Sequence, residues 1–213
     1  MRTRQRILEG ASKVFNQRGF GEATIAEIIE AAGVTKGALY HHFGATGPVA
    51  AKVKIAQAIL ENTLTQDGLV ERESKLQTWI DTGMLLSYRL PREPALRAAL
   101  HLAVHHTARD TYGTPWPAWT GVTTSQLTEA RASGELLPHV DPAAVARVLV
   151  GAWAGLAVLT SAIDGDLQAF ERESVRLYEL FLPAIAVPSV IMHLDYAADR
   201  GERVWSEYVN REK

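Results

Sequence analysis

The stretch that decides the fold is Gly33-Val34-Thr35-Lys36-Gly37-Ala38-Leu39-Tyr40-His41-His42-Phe43. Gly33 breaks a helical pattern, and Thr35 is a residue type that caps the start of a new one. The segment from Thr35 to about His42 therefore reads as a short helix. Leu39 and Phe43 are four apart, so they share one face and anchor that helix to an interior. Lys36, Gly37, Tyr40 and His41 are left to face outward.

Upstream, Thr24-Ile25-Ala26-Glu27 has the form of a capping box. It opens a second short helix with Ile25, Ile28, Ile29 and Ala32 inward. Two short helices joined by a tight turn at Gly33-Val34 make a helix-turn-helix. Before them, Ile7, Leu8, Ala11, Val14 and Phe15 form the apolar stripe of a first helix from about Thr3 to Gln17, closed near Gly19.

A helix that reads DNA enters the major groove by its N-terminal end, where free N–H groups and the helix dipole favour phosphate. Thr35 can cap or give its proton to a phosphate, and Lys36 reaches phosphates or guanine edges. Gly37 carries no side chain and lets the backbone approach closely. Tyr40 and His41 can give hydrogen bonds to phosphates, and Arg2 and Arg4 precede the first helix. The candidate DNA-binding set is Arg2, Arg4, Thr24, Thr35, Lys36, Gly37, Tyr40, His41 and Lys52.

Charge agrees with this end of the chain meeting a polyanion. Net charge is −2 over 213 residues, but residues 1–54 carry +4 and residues 55–213 carry −6. With 47% hydrophobic and 22% charged residues, the composition is that of an ordinary globular protein. No cysteine is present, which excludes disulfides and thiolate metal sites and fits a reducing cytoplasm. The start Met1-Arg2-Thr3-Arg4 lacks the apolar run of a signal peptide. The apolar run Val148 to Ile163 is short of the roughly 20 residues a spanning helix needs. It reads as a buried helix, so no membrane partner is expected.

Beyond Pro48 the pattern stays helical. Segments are expected from Pro48 to about Leu64 and over 71–90, 94–107, 117–133, 142–163, 167–182 and 188–209. The fold class is all-α, with a helix-turn-helix domain over residues 1–46 and a larger helical ligand-binding and dimerisation domain over 47–213. A symmetric operator requires a two-fold protein, and the helices at 145–163 and 175–182 are the interface candidates.

Residues Arg4 to Phe43 resemble the TetR family of bacterial repressors. The likeness is carried by Ile7-Leu8-x-x-Ala11, Phe15, Gly19-Phe20, Thr24-Ile25-x-x-Ile28, Ala32-Gly33-Val34 and Thr35-Lys36-Gly37-x-Leu39-Tyr40-x-His42-Phe43. The chain departs from that family at Ala45-Thr46-Gly47, where a lysine that contacts phosphate usually stands. Lys52 and Lys54 are the nearest substitutes.

The body is similar to the γ-butyrolactone receptor branch, through Gly83-Met84-Leu85-Leu86-x-x-Arg89-Leu90, Trp119, Gly134-Glu135-Leu136-Leu137-Pro138-His139-Val140, Ala154-Gly155 and Leu182–Val190. The resemblance implies a homodimer that holds double-stranded operator DNA and releases it on binding a small, mostly apolar, lactone-like signal. It implies Trp119 and Gln57 as ligand residues. Trp153 and Thr160, on the apolar helix, join them as candidates.

Two other classes stay open. A TetR-type relative can respond to an antibiotic or a biosynthetic intermediate, or to no ligand. A metal-dependent helical enzyme would use His101 and His105, four apart, with His106 and Asp110 near. No third ligand is specified, no nucleophile elbow or phosphate loop occurs, and no convincing acid, base or nucleophile set exists. The expectation is therefore no enzyme activity, no cofactor and no metal. A nonspecific DNA-coating protein is disfavoured by the acidic body.

Overall fold

The computed structural model describes residues 3–62, 71–105, 108–164, 167 and 169–211. Those residues form helices throughout, apart from one isolated bridge between Leu136 and Ala186. They group into two compact units, Met1–Thr65 with Glu93–Trp116, and Gln66–Arg92 with Pro117–Lys213.

In the first unit, α1 (Thr3–Glu22) buries Ile7, Leu8, Ala11, Val14 and Phe15, the stripe expected from sequence. It extends past Gln17, with a kink at Gly19 (φ 71°), a left-handed value that glycine tolerates. α2 (Ile25–Ala32) and α3 (Lys36–Phe43) follow. Gly10 lets α1 cross α2 closely, since a Cβ there would lie 2.6 Å from the Ala32 backbone nitrogen.

α4 (Pro48–Asn62), α6 (Pro94–Val104) and the short α7 (Ala108–Thr111) belong to this same unit. α4 buries Ile55 and Ile59, and Asn16 Nδ2 of α1 donates to Pro94 O of α6 at 2.8 Å. The division read between residues 46 and 47 therefore falls inside a compact unit. Its apolar closure comes partly from α6, which is distant in sequence.

The second unit holds α5 (Lys75–Arg89), α8 (Trp116–Ala132), α9 (Pro142–Asp164), α10 (Phe170–Ile185), α11 (Pro188–Ile191) and α12 (Arg200–Arg211). Its core packs Leu76, Trp79, Ile80 and Met84 of α5 against Leu127, Leu149, Tyr178 and Leu182. The segment after α8 lies along the end of α10, with Leu137 N donating to Ile185 O and Val187 N to Glu135 O. Glu135 itself caps α5 from 60 positions away, accepting from Ser74 Oγ and from the backbone N–H groups of Lys75 and Leu76. A carboxylate at a helix N-terminus is stabilised by the dipole and by the unpaired donors there.

The expected single helix over 188–209 is two helices. Between α11 and α12 the backbone of Asp195 bonds to a side chain instead of to its own chain. Gln77 Oε1 accepts from Asp195 N at 2.7 Å, and Gln77 Nε2 donates to Asp195 O at 2.9 Å. Those two bonds replace helical ones, so the helix stops and restarts.

α9 also departs from expectation. It is not a buried helix but a one-sided one. Ala146, Leu149, Ala157 and Thr160 are buried, while Val148, Val158, Leu159 and Ile163 are 56%, 41%, 54% and 71% exposed. At 23 residues it is, by length and composition, apolar enough to cross a membrane.

Candidate functional site

Short-range caps build the outward face of the first unit. At α2, Thr24 Oγ accepts from Glu27 N, and Thr24 N donates to Glu27 Oε2 at 2.9 Å, completing the capping box. Those bonds hold the Glu27 carboxyl below the usual carboxylate range. Thr24 is exposed, but its hydroxyl also donates to Glu27, so its first task is the cap.

The turn is closed by Gly33 in the left-handed region (φ 60°), with Gly33 N bonded to Glu30 O and Val34 N to Ile29 O. Arg6 Nη2 donates to Gly33 O at 2.5 Å, tying α1 to the turn. This clamp was missed in the sequence, because an arginine 27 positions away carries no local signal.

At α3, Thr35 Oγ accepts from Ala38 N at 3.2 Å. Its hydroxyl proton has no acceptor among the described residues. Leu39 and Phe43 are buried, and Thr35, Lys36, Gly37 and His41 are exposed. A Cβ built on Gly37 would meet nothing within 4 Å, so the helix surface there is open. Lys36 Nζ stands 6.0 Å above the half-buried Tyr40 ring, and Arg4 lies 5.6 Å from the Phe43 ring. His42 adds a further exposed imidazole beside His41. Arg2 lies outside the described residues.

Lys52 is placed differently. Its ammonium donates to Gly21 O and Ala23 O at 3.1 and 2.9 Å and sits 4.7 Å from the Phe20 ring. Burial pushes it below the usual lysine range. It fastens the α1–α2 connection and is not a free cation. Lys54 Nζ likewise donates to Gly44 O, behind α3.

Of the ligand candidates, Gln57 is exposed on α4 of the first unit, and the other three lie in the second. Trp119 is half-buried on α8. Trp153 and Thr160, two turns apart, share the inner side of α9. Trp153 Nε1 donates to Ser87 Oγ at 3.0 Å, and its ring packs edge-on against Phe170 at 5.0 Å. The Ser87 hydroxyl lies 2.8 Å from that of Ser174. Trp153 is thus half-buried with its indole N–H already paired, and Thr160 is 4% exposed.

The metal arrangement is not assembled. α6 ends at Val104, with His105 as its C-cap, and among the described residues no group of three or more His, Asp or Glu side chains comes together to hold a metal ion. His106 lies outside the described residues.

A family model for "Bacterial regulatory proteins, tetR family" matches residues 7–46. The A-factor receptor protein of Streptomyces griseus is 31% identical over 97% of this chain and 74% of its own length. Among solved structures, full-length TylP, a TetR regulator from Streptomyces fradiae, superposes with a TM-score of 0.83 at 34% identity, covering 98% of both chains. A γ-butyrolactone receptor described as ArpA-like superposes with a TM-score of 0.70 at 26% identity, covering 96% of this chain and 97% of that one.

Proposed function

The chain belongs to the tetR family of bacterial regulatory proteins, and on that footing we propose that it is a dimeric repressor released from its operator by a small lactone-like signal. The family is one of helix-turn-helix DNA-binding transcription regulators and not of enzymes.

The observation that carries the DNA half is the open N-terminal turn of α3, with Thr35, Lys36 and the bare backbone of Gly37 exposed together. An element of this shape presents its first turn to base edges while Tyr40 and His41 meet the flanking phosphates. Arg4, in the first turn of α1, and Arg2, which precedes it in the sequence, are proposed to extend the contact. Thr24 is carried with them at the start of α2. The protein works in the cytoplasm, where operator DNA is.

Two-fold symmetry follows from the operator, and the exposed apolar face of α9 supports it. Val148, Leu159 and Ile163 stand around Gly151 and Gly155, whose lack of side chains lets a second helix lie close. An isologous contact of α9 and α10 with their copies would cover that face.

The ligand half is supported by likeness to the A-factor receptor and to the γ-butyrolactone receptor, and by the half-buried Trp119. Trp119, Trp153, Thr160 and Gln57 are the residues proposed to respond to it. The signal acts by binding the DNA-released state more tightly than the DNA-bound one, and operator DNA must weaken signal binding by the same factor.

The test is binding of purified protein to a labelled palindrome from its own upstream region, with and without extract of culture medium. Specific binding lost on adding extract is expected for wild type, and Trp119→Ala should bind DNA but ignore the extract. Binding that no extract disturbs would remove the signal-responsive reading and leave the DNA-binding one.

A further inference from the structure

Within the second unit, the amide of Gln126 on α8 is held in one orientation. Thr82 Oγ of α5 gives its only proton to Thr78 O, at 2.9 Å. Towards Gln126 it can therefore only accept, and Gln126 Nε2 donates to it at 2.8 Å. Turning the amide over would draw that proton away from Thr78 O and leave the Gln126 N–H groups buried without an acceptor. Gln126 Oε1 is thereby fixed on the opposite side, shut off from solvent and without a donor among the described residues.

A buried carbonyl oxygen left in this way costs on the order of 1–3 kcal/mol. Few buried polar atoms in a folded protein go unpaired, and those that do ask for an explanation. Gln126 also stands seven residues, two turns, after Trp119, so both side chains leave the same side of α8 about 10 Å apart along its axis. A half-buried aromatic ring and a buried, pre-set acceptor then share one face of α8.

We infer that Gln126 Oε1, oriented by Thr82, is the polar anchor of the signal site and selects ligands that carry a hydroxyl or N–H donor on an otherwise apolar body. The inference rests on the reading of the second unit as a receptor for a small apolar molecule. It adds the chemistry of recognition. Lactone and ketone oxygens are acceptors and cannot satisfy Gln126 Oε1, whereas an O–H or N–H group can. Binding sites discriminate most strongly through such unmade hydrogen bonds.

The experiment uses the full-length protein and two probes that differ only in the donor, 1-octanol and its methyl ether. Tryptophan fluorescence titration should give roughly tenfold tighter binding of the alcohol, the effect of one buried hydrogen bond. Gln126→Leu should bind both probes with the affinity of the ether. Its melting temperature should equal or exceed that of wild type, because the unpaired acceptor is gone. Thr82→Val, which frees the amide to rotate, should reduce the preference without removing it, and serves if Gln126→Leu does not fold. Equal binding of both probes by wild type, or a preference that survives both substitutions, would overturn the inference alone. Binding of neither probe would remove the apolar-signal reading and this inference with it.

Discussion

Arg200 grips Asp81 at two points, Nε to Oδ1 and Nη2 to Oδ2, each at 2.7 Å. Asp81 is fully buried on α5 and also accepts from Arg72 Nε and Gln77 Nε2. One carboxylate thus joins α5 to α12 and to the segment before α5. Taking Asp81 away would leave the buried Arg200 guanidinium with only its 3.3 Å contact to Asp195. Removing one member of a buried pair typically costs about 3–5 kcal/mol. Asp81→Ala should therefore lower the melting temperature by roughly 10 °C for a chain of this size. A scanning calorimetry trace unchanged within 2 or 3 degrees, on the order of 1 kcal/mol, would show the network to be dispensable.

Acid should loosen the same region. Hydrogen bonds from Arg203 hold the Asp195 carboxyl below the usual aspartate range, with the Ala197 N–H adding to the effect. A folded-state pKa below the unfolded one means that the folded form binds fewer protons. The contribution is complete above about pH 4 and is lost as pH falls through the lowered folded value. Because Asp195 is 39% exposed, solvent screens the effect and the loss is small. Melting temperatures taken between pH 5 and pH 3 should fall less steeply for Arg203→Gln than for wild type. Parallel slopes would place the acid sensitivity elsewhere.

Lys36 and Lys52 have opposite expected phenotypes. Lys36 is exposed on the first turn of α3, whereas Lys52 is bonded to Gly21 O and Ala23 O. Lys36→Ala should weaken operator binding and lower the slope of log K against log salt by about 1, with stability unchanged. Lys52→Ala should leave that slope near wild type and reduce thermal stability. If Lys52→Ala lowers the salt slope as Lys36→Ala does, its ammonium leaves Gly21 and Ala23 to meet phosphate.

Leu159 is 54% exposed on the apolar outer face of α9. Leu159→Glu puts a charge where a second copy is proposed to pack, and burying an unpaired charge is costly. The variant should elute as a monomer at micromolar concentration and lose palindrome binding. A variant that stays dimeric, by light scattering, would exclude this face as the interface.

The helix-turn-helix was legible because its determinants are local. Thr24 meets Glu27, Thr35 meets Ala38, and Gly33 closes on Glu30, all within three or four positions. Such bonds are written in residue types at fixed spacing, and periodic burial of Ile7, Leu39 and Phe43 confirms the inner face. The exposed first turn of α3, at Thr35, Lys36 and Gly37, was readable for the same reason. Gln126 was not, since the atom that fixes its amide lies on Thr82, 44 positions earlier.

Sequence alone determined an all-helical chain with a capped helix pair at its start and glycine and proline breaks between later helices. Only the tertiary structure decided that Lys52 is a tie, that Asp81 is the joint of α5 and α12, and that the last helix is interrupted at Asp195. It also decided which side of α9 is buried, because a helix apolar on every side has no period to read. The physical reason is one of range. Caps and stripes act over a turn or two, whereas Arg200 and Asp81 are 119 positions apart and meet only once the chain has folded.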